Sequence, residues 1–99
     1  MLSSDGMVAW VYILQSLRNE RYYIGHTLDL QRRLSDHNAG LVKATRYLRP
    51  WRIVYREQHE TPTAARKREW YLKRLKSRKA VDELIARKSV DQTEGPLLA

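Results

Sequence analysis

The segment Val8-Ala-Trp-Val-Tyr-Ile-Leu14 is a continuous run of apolar, β-branched and aromatic residues with polar clusters on both sides. A run this short and this rich in Val, Ile and aromatic rings reads as a β-strand buried on both faces. The chain is therefore built around a sheet, with other elements packed on it. Extended by Met7, the run reaches eight residues, far short of the ~20 that span a bilayer.

The remaining segments supply the partners. Arg21-Tyr-Tyr-Ile-Gly25 reads as a second strand, and the short polar connection before it predicts an antiparallel hairpin. A turn centred between Leu17 and Arg18 would set Tyr12 opposite Tyr23 and Trp10 opposite Gly25. Gly25 would then leave a gap beside the two phenols where a ligand could approach. Residues 27–37 look helical, with Thr27 as N-cap and Gly40 just past the end. A basic loop over 39–50 closes at Pro50, and Arg52–Arg56 alternates as a third strand. Thr61 and Pro62 open a second helix running to about Lys76, and Val81, Leu84 and Ile85 mark a short third one. The order β-β-α-β-α-α predicts an α/β (α+β) fold, a three-stranded antiparallel sheet flanked by helices. Its expected extent is 8–88, with a disordered N-terminus over 1–7 and a flexible tail over 89–99.

Ninety-nine residues make one domain with a modest core. The absence of cysteine excludes a disulfide scaffold, a cysteine zinc finger and a thiol nucleophile. The N-terminus lacks a basic region followed by an apolar stretch, so a cytoplasmic setting is expected rather than secretion or a membrane. Charge is strongly segregated. Residues 41–80 hold thirteen Lys and Arg against Glu57, Glu60 and Glu69, while the rest of the chain is slightly acidic. A cationic excess confined to one segment and interleaved with Tyr47, Trp51, Trp70 and Tyr71 points to a nucleic-acid partner.

Three constellations break the apolar pattern. Tyr12 and Tyr23 share a sheet face, which by itself is ordinary cross-strand packing. Leu30, Arg33, Leu34 and His37 form one stripe of the first helix, yet two of the four are ionisable. In isolation this is a snorkelling Arg and a silent, hydrogen-bonded His. Ala65, Glu69 and Leu72 repeat the anomaly on the second helix, where a carboxylate facing a sheet must be protonated, salt-bridged or metal-bound. A plain salt bridge is the bland alternative, with Arg33 the obvious partner. Together the three describe one concave face with two Tyr, an Arg, a His and a carboxylate.

This ordered set resembles the GIY-YIG nuclease superfamily, most closely its small single-domain members. Tyr23-Ile24-Gly25 matches the second motif intact. Trp10-Val11-Tyr12 stands for the first, with Trp10 where the family name has Gly, and His26 stands where some relatives carry Lys. The resemblance spans about residues 8–85 and carries the family's catalytic positions onto Tyr12, Tyr23, Arg33, His37 and Glu69. It implies a metal-dependent DNA endonuclease with DNA repair as its setting, Glu69 holding one Mg²⁺ or Mn²⁺ ion. Tyr12 is the implied general base, with Tyr23 orienting it or the water, and His37 is a rival base titrating near pH 7 or a relay for the Tyr proton. Arg33 would grip the phosphate. Gly25, His26, Lys43, Arg46, Arg49, Lys73, Arg74, Lys76 and Arg78 are the expected nucleic-acid contacts. No separate targeting domain is expected in these 99 residues, and the expectation is that a protein partner directs it or that it recognises DNA structure. The alternative is a non-catalytic basic module binding DNA or RNA on the same fold.

Overall fold

The computed structural model describes residues 8–87. The segments 1–7 and 88–99, with the disorder and flexibility expected at the two ends, lie outside the described residues. Three strands, β1 (Ala9–Ser16), β2 (Tyr22–Thr27) and β3 (Trp51–His59), form one antiparallel sheet in the order β2-β1-β3. Helix α1 (Leu30–Asn38) follows β2, α2 (Pro62–Leu75) follows β3, and residues 78–87 form a third helix, α3. The predicted order and fold class stand.

β1 is the central strand, and its two faces explain the unbroken apolar run. Ala9 and Val11 pack against Ala65 and Leu72 of α2, and Ile13 against Tyr55 and Val81 of α3. Tyr12 and Leu14 point the other way, to Leu30 of α1 and Trp51. The sheet is thus sandwiched, with α1 on one face and α2 with α3 on the other. Among the described residues no helix is long and apolar enough to cross a membrane.

The hairpin register differs from expectation. Tyr12 faces Gly25, Trp10 faces Thr27, and Tyr23 faces Leu14. The cause is a longer turn. The Ser16 hydroxyl accepts the N–H groups of Arg18 (3.0 Å) and Asn19 (3.2 Å), and Glu20 adopts φ 67° with its N–H on the Ser16 carbonyl. The slip is two residues, the period of a strand, so the two tyrosines keep a common face as diagonal neighbours. Thr27 correspondingly belongs to β2, and Asp29 caps α1 instead, its carboxylate accepting from the Arg32 N–H at 3.1 Å. β3 is longer than predicted and carries a bulge. Ile13 faces Tyr55 while Leu14 faces Ile53, leaving Val54 as the extra residue.

α2 starts where its sequence says. The Thr61 hydroxyl accepts from the Ala64 N–H at 3.1 Å and Pro62 opens the helix. It ends one residue early, because Lys76 takes the left-handed conformation and the Ser77 hydroxyl caps α3 through the Ala80 N–H. Thr61→Ala should cost about 1 kcal/mol, a melting temperature some ~4–8 °C lower, whereas Thr63→Ala on the exposed first turn should change little. Equal thermal shifts for the two variants would contradict this cap.

Candidate active site

The third turn of α1 buries His37 completely between Tyr12 and Thr45. The Tyr12 hydroxyl lies 3.0 Å from Nε2, and the Thr45 hydroxyl lies 2.7 Å from Nδ1. Proton positions follow from donor arithmetic. A protonated phenol donates, so Nε2 accepts, and the neutral ring carries its hydrogen on Nδ1. Nδ1–H then donates to Thr45, whose own hydroxyl turns to the Val42 carbonyl at 3.4 Å. The Trp51 indole N–H on the Thr45 carbonyl (2.9 Å) pins that loop, and the Asn38 amide brackets the Trp51 backbone with two further bonds.

Burial sets the charge states. It pushes the Tyr12 phenol up to about 12, against the opposing pull of the Arg33 guanidinium beside it. It pushes His37 down to about 4, helped by the same guanidinium. The imidazole is therefore neutral throughout the physiological range and does not titrate near pH 7 as expected from an ordinary histidine. Arg33 itself is half-buried, 3.9 Å from Asp36 on the next turn. The Tyr23 ring stacks edge-on with His37, at 5.1 Å between centroids, and with Trp51 at 6.3 Å.

Gly25 does not leave an open gap. A Cβ there would come within 2.5 Å of the Tyr12 hydroxyl, so the missing side chain is filled by the tip of the phenol. Next to it, His26 points to the opposite face, and Glu69 reaches it from α2. Nδ1–H of His26 donates to one Glu69 oxygen while the Lys73 ammonium holds the other. Arg33 is not the partner, because α1 and α2 lie on opposite sides of the sheet. Burial alone would raise the Glu69 carboxyl, but the Lys73 and His26 contacts outweigh it and hold it below the usual range, ionised. The predicted single face is therefore two half-sites meeting across β2. Tyr12, Tyr23, Arg33 and His37 stand on one side, with Glu69 and His26 on the other. Lys73 links them, 5.9 Å above the Tyr23 ring.

Besides Gly25 and His26 in β2, the expected nucleic-acid contacts fall into two groups flanking the β1–β2 turn. Lys43, Arg46 and Arg49 lie on the loop before β3, and Lys73, Arg74, Lys76 and Arg78 at the end of α2 and the start of α3. Arg18 of the turn donates to the Tyr47 carbonyl on one side (3.2 Å), and Arg78 donates to the Glu20 carbonyl on the other (2.9 Å). Several are already engaged. Arg49 folds over Gly40 and onto the Arg46 carbonyl (2.7 Å), while Arg74 stacks on the Trp70 ring at 4.5 Å. Thr45 and Asn38 had no signature in the sequence, since each acts through contacts made only in three dimensions. The same holds for Glu57, which collects Tyr55, His59 (2.8 Å) and Arg68 (2.7 Å) and so ties α2 to β3 one residue before Glu69.

The GIY-YIG catalytic domain family matches residues 8–81, most of the described chain. The chain belongs to the GIY-YIG family. A UPF0213 protein of Clostridium perfringens is 38% identical over 84 residues, covering 84% of this chain and 88% of its own length. One from Listeria innocua is 40% identical over 76 residues, covering 76% and 82%. The solution NMR structure of a UPF0213 protein from Bacillus halodurans superposes with a TM-score of 0.53 at 32% identity, covering 83% of this chain and 86% of that one. Within this GIY-YIG domain Tyr12 and Tyr23 both contact the buried His37.

His37 makes this domain's stability depend on pH. Its folded pKa of about 4 lies below the ordinary 6.5, so the unfolded chain takes up the proton first as pH falls. The contribution is complete above about pH 6.5 and is lost towards pH 4. Glu57 and Glu69, held below the ordinary 4.5, act only at lower pH. Thermal melts should therefore show wild-type stability declining from pH 6.5 to 4.5, with a flatter profile for His37→Gln. Parallel profiles would refute the buried neutral imidazole.

Proposed function

We propose that this GIY-YIG domain is a metal-dependent endonuclease that hydrolyses phosphodiester bonds in DNA and selects its substrate by structure. The observation carrying this reading is the buried Tyr12–His37 hydrogen bond beside Arg33, with the ionised Glu69 just across β2.

The residues fit a single divalent ion. Among the described residues no three His, Cys, Asp or Glu side chains gather as a ready-made cage. Glu69 would be the one protein carboxylate holding Mg²⁺ or Mn²⁺, which suits ions that keep water and take substrate phosphate as further ligands. Lys73 and His26 would first have to release it. The bound ion supplies neutralisation of charge developing on the phosphoryl oxygens. Arg33 would hold the non-bridging oxygens in a two-pronged grip.

Tyr12 would take a proton from the attacking water as its own passes to Nε2 of His37. With the phenol at about 12, forming free phenolate at pH 7 costs roughly 7 kcal/mol. The nearby cations lower that cost, while His37, whose own basicity burial depresses, passes the proton on and does not store it. His37 then acts as relay rather than as a lone base, and Thr45 keeps its accepting nitrogen turned to the phenol. Because His37 stays neutral above about 4, this mechanism gives no rate inflection at pH 6–7 from that residue.

The non-catalytic reading is favoured by one observation, the saturation of Glu69 by Lys73 and His26. A cleavage assay with Mg²⁺ on single-stranded, duplex, flapped and branched DNA separates the two. Wild type should cleave at least one substrate. Glu69→Gln should lose cleavage by orders of magnitude while still binding, and Tyr12→Phe should lose ~10²-fold or more with the fold intact. If Glu69→Gln chiefly lowers the melting temperature and the wild type cuts nothing, the binding module is the right description.

A further inference from the structure

A groove of about 410 Å³ lies along the open edge of β2, where the end of α2 and the start of α3 face the sheet. Its floor is apolar, from Ile24, Leu72 and Val81, and its rim carries Arg21, Lys73, Lys76 and Arg78. Two of these cations are already neutralised. Lys73 holds Glu69, and Arg78 lies 3.8 Å from Asp82 and 4.4 Å above the Tyr22 ring. Arg21 and Lys76 have no acidic partner among the described residues.

Lys76 is conspicuous for a second reason. It stands at φ 46°, ψ 35°, the left-handed position that ends α2. Glycine is the residue that occupies this position without strain. A lysine there keeps a conformational cost that glycine would remove, and it sets an unpaired ammonium on the rim of the groove. Strain retained beside a charged, partnerless group suggests a ligand.

We propose that this groove is a second phosphate subsite, holding a nucleotide of the bound strand next to the one being cut. The apolar floor would take the sugar and base, while Arg21 and Lys76 would take the phosphate. Tyr23 and Lys73 belong both to this groove and to the catalytic half-sites, so the strand would run along the edge of β2 between them. Tyr22 and Gly25 are roughly 10 Å apart at strand rise, so this phosphate is distinct from the one facing Tyr12. The inference rests on the nucleic-acid reading above and deepens it. The substrate must be a strand extending beyond the scissile bond, engaged from the sheet edge.

The test sets stability against binding in one residue. Lys76→Gly relieves the backbone and deletes the cation, so its melting temperature should rise by a few degrees while affinity for a labelled oligonucleotide falls. In a salt series, the slope of log K against log[salt] should become shallower by ~0.7–0.9, the share of one phosphate contact. Lys76→Arg should restore the slope, and Lys79→Ala, which removes an equal charge outside the groove, should leave it unchanged. A slope unaltered by Lys76→Gly, or altered equally by Lys79→Ala, would overturn the subsite while leaving the nuclease reading in place. No binding by the wild type to any oligonucleotide would overturn both.

Discussion

The buried chain from Tyr12 through His37 to Thr45 is the interaction on which the rest of this molecule turns. Three polar side chains sit in the layer between sheet and α1, and each has its partner: phenol to Nε2, Nδ1–H to hydroxyl, hydroxyl to carbonyl. Buried polar groups are tolerable only when so satisfied, and satisfaction fixes geometry. It sets the rotation of α1 against β1, draws the 39–50 loop inward through Thr45, and, with Trp51 and Asn38, ties that loop to β3. Gly25 is part of the same constraint, because only a residue without Cβ lets the Tyr12 hydroxyl lie over β2.

The sheet separates the functional groups as much as it joins them. α1 and α2 cover opposite faces, so the tyrosines and Arg33 cannot meet Glu69 through the core. They meet around the edge strand β2, where the Gly25–His26 step turns one residue to each side. The ionised Glu69 raises the pKa of Tyr12 across that step, although burial is the larger cause. Around that edge His26, Arg33 and Lys73 keep partial solvent exposure while Tyr12 and His37 are buried.

How much of this was legible beforehand depends on which interaction is asked about. The β1 run announced a strand buried on both faces, and the Thr61-Pro62 pair announced the start of α2, because both are local properties. The hairpin register differs by two from the expected one, since a Ser16 hydroxyl collecting two N–H groups lengthens the turn and no periodicity reports that. The faces survive the difference because a strand repeats every two residues. The stripes carrying His37 and Glu69 were visible as anomalies, but spacing along a helix does not say which side of the sheet the helix covers. Arg33, the candidate partner in the salt-bridge alternative, therefore lies on the wrong side of the sheet for Glu69, and the spacing carries no sign that Lys73 and His26 hold it instead. Thr45 is a hydroxyl in a basic loop with no pattern around it. The depth of burial that moves His37 from near neutrality to about 4 is likewise a property of packing, not of residue type.

The account depends most on where the His37 proton sits. Nitrogen-detected NMR of the isotope-labelled protein reads the protonation of each ring nitrogen directly. The structure predicts a neutral His37 at pH 7 with hydrogen on Nδ1 and a bare Nε2 accepting from Tyr12, unchanged until the pH approaches 4. A hydrogen on Nε2, or an imidazolium already forming between pH 6 and 7, would contradict it.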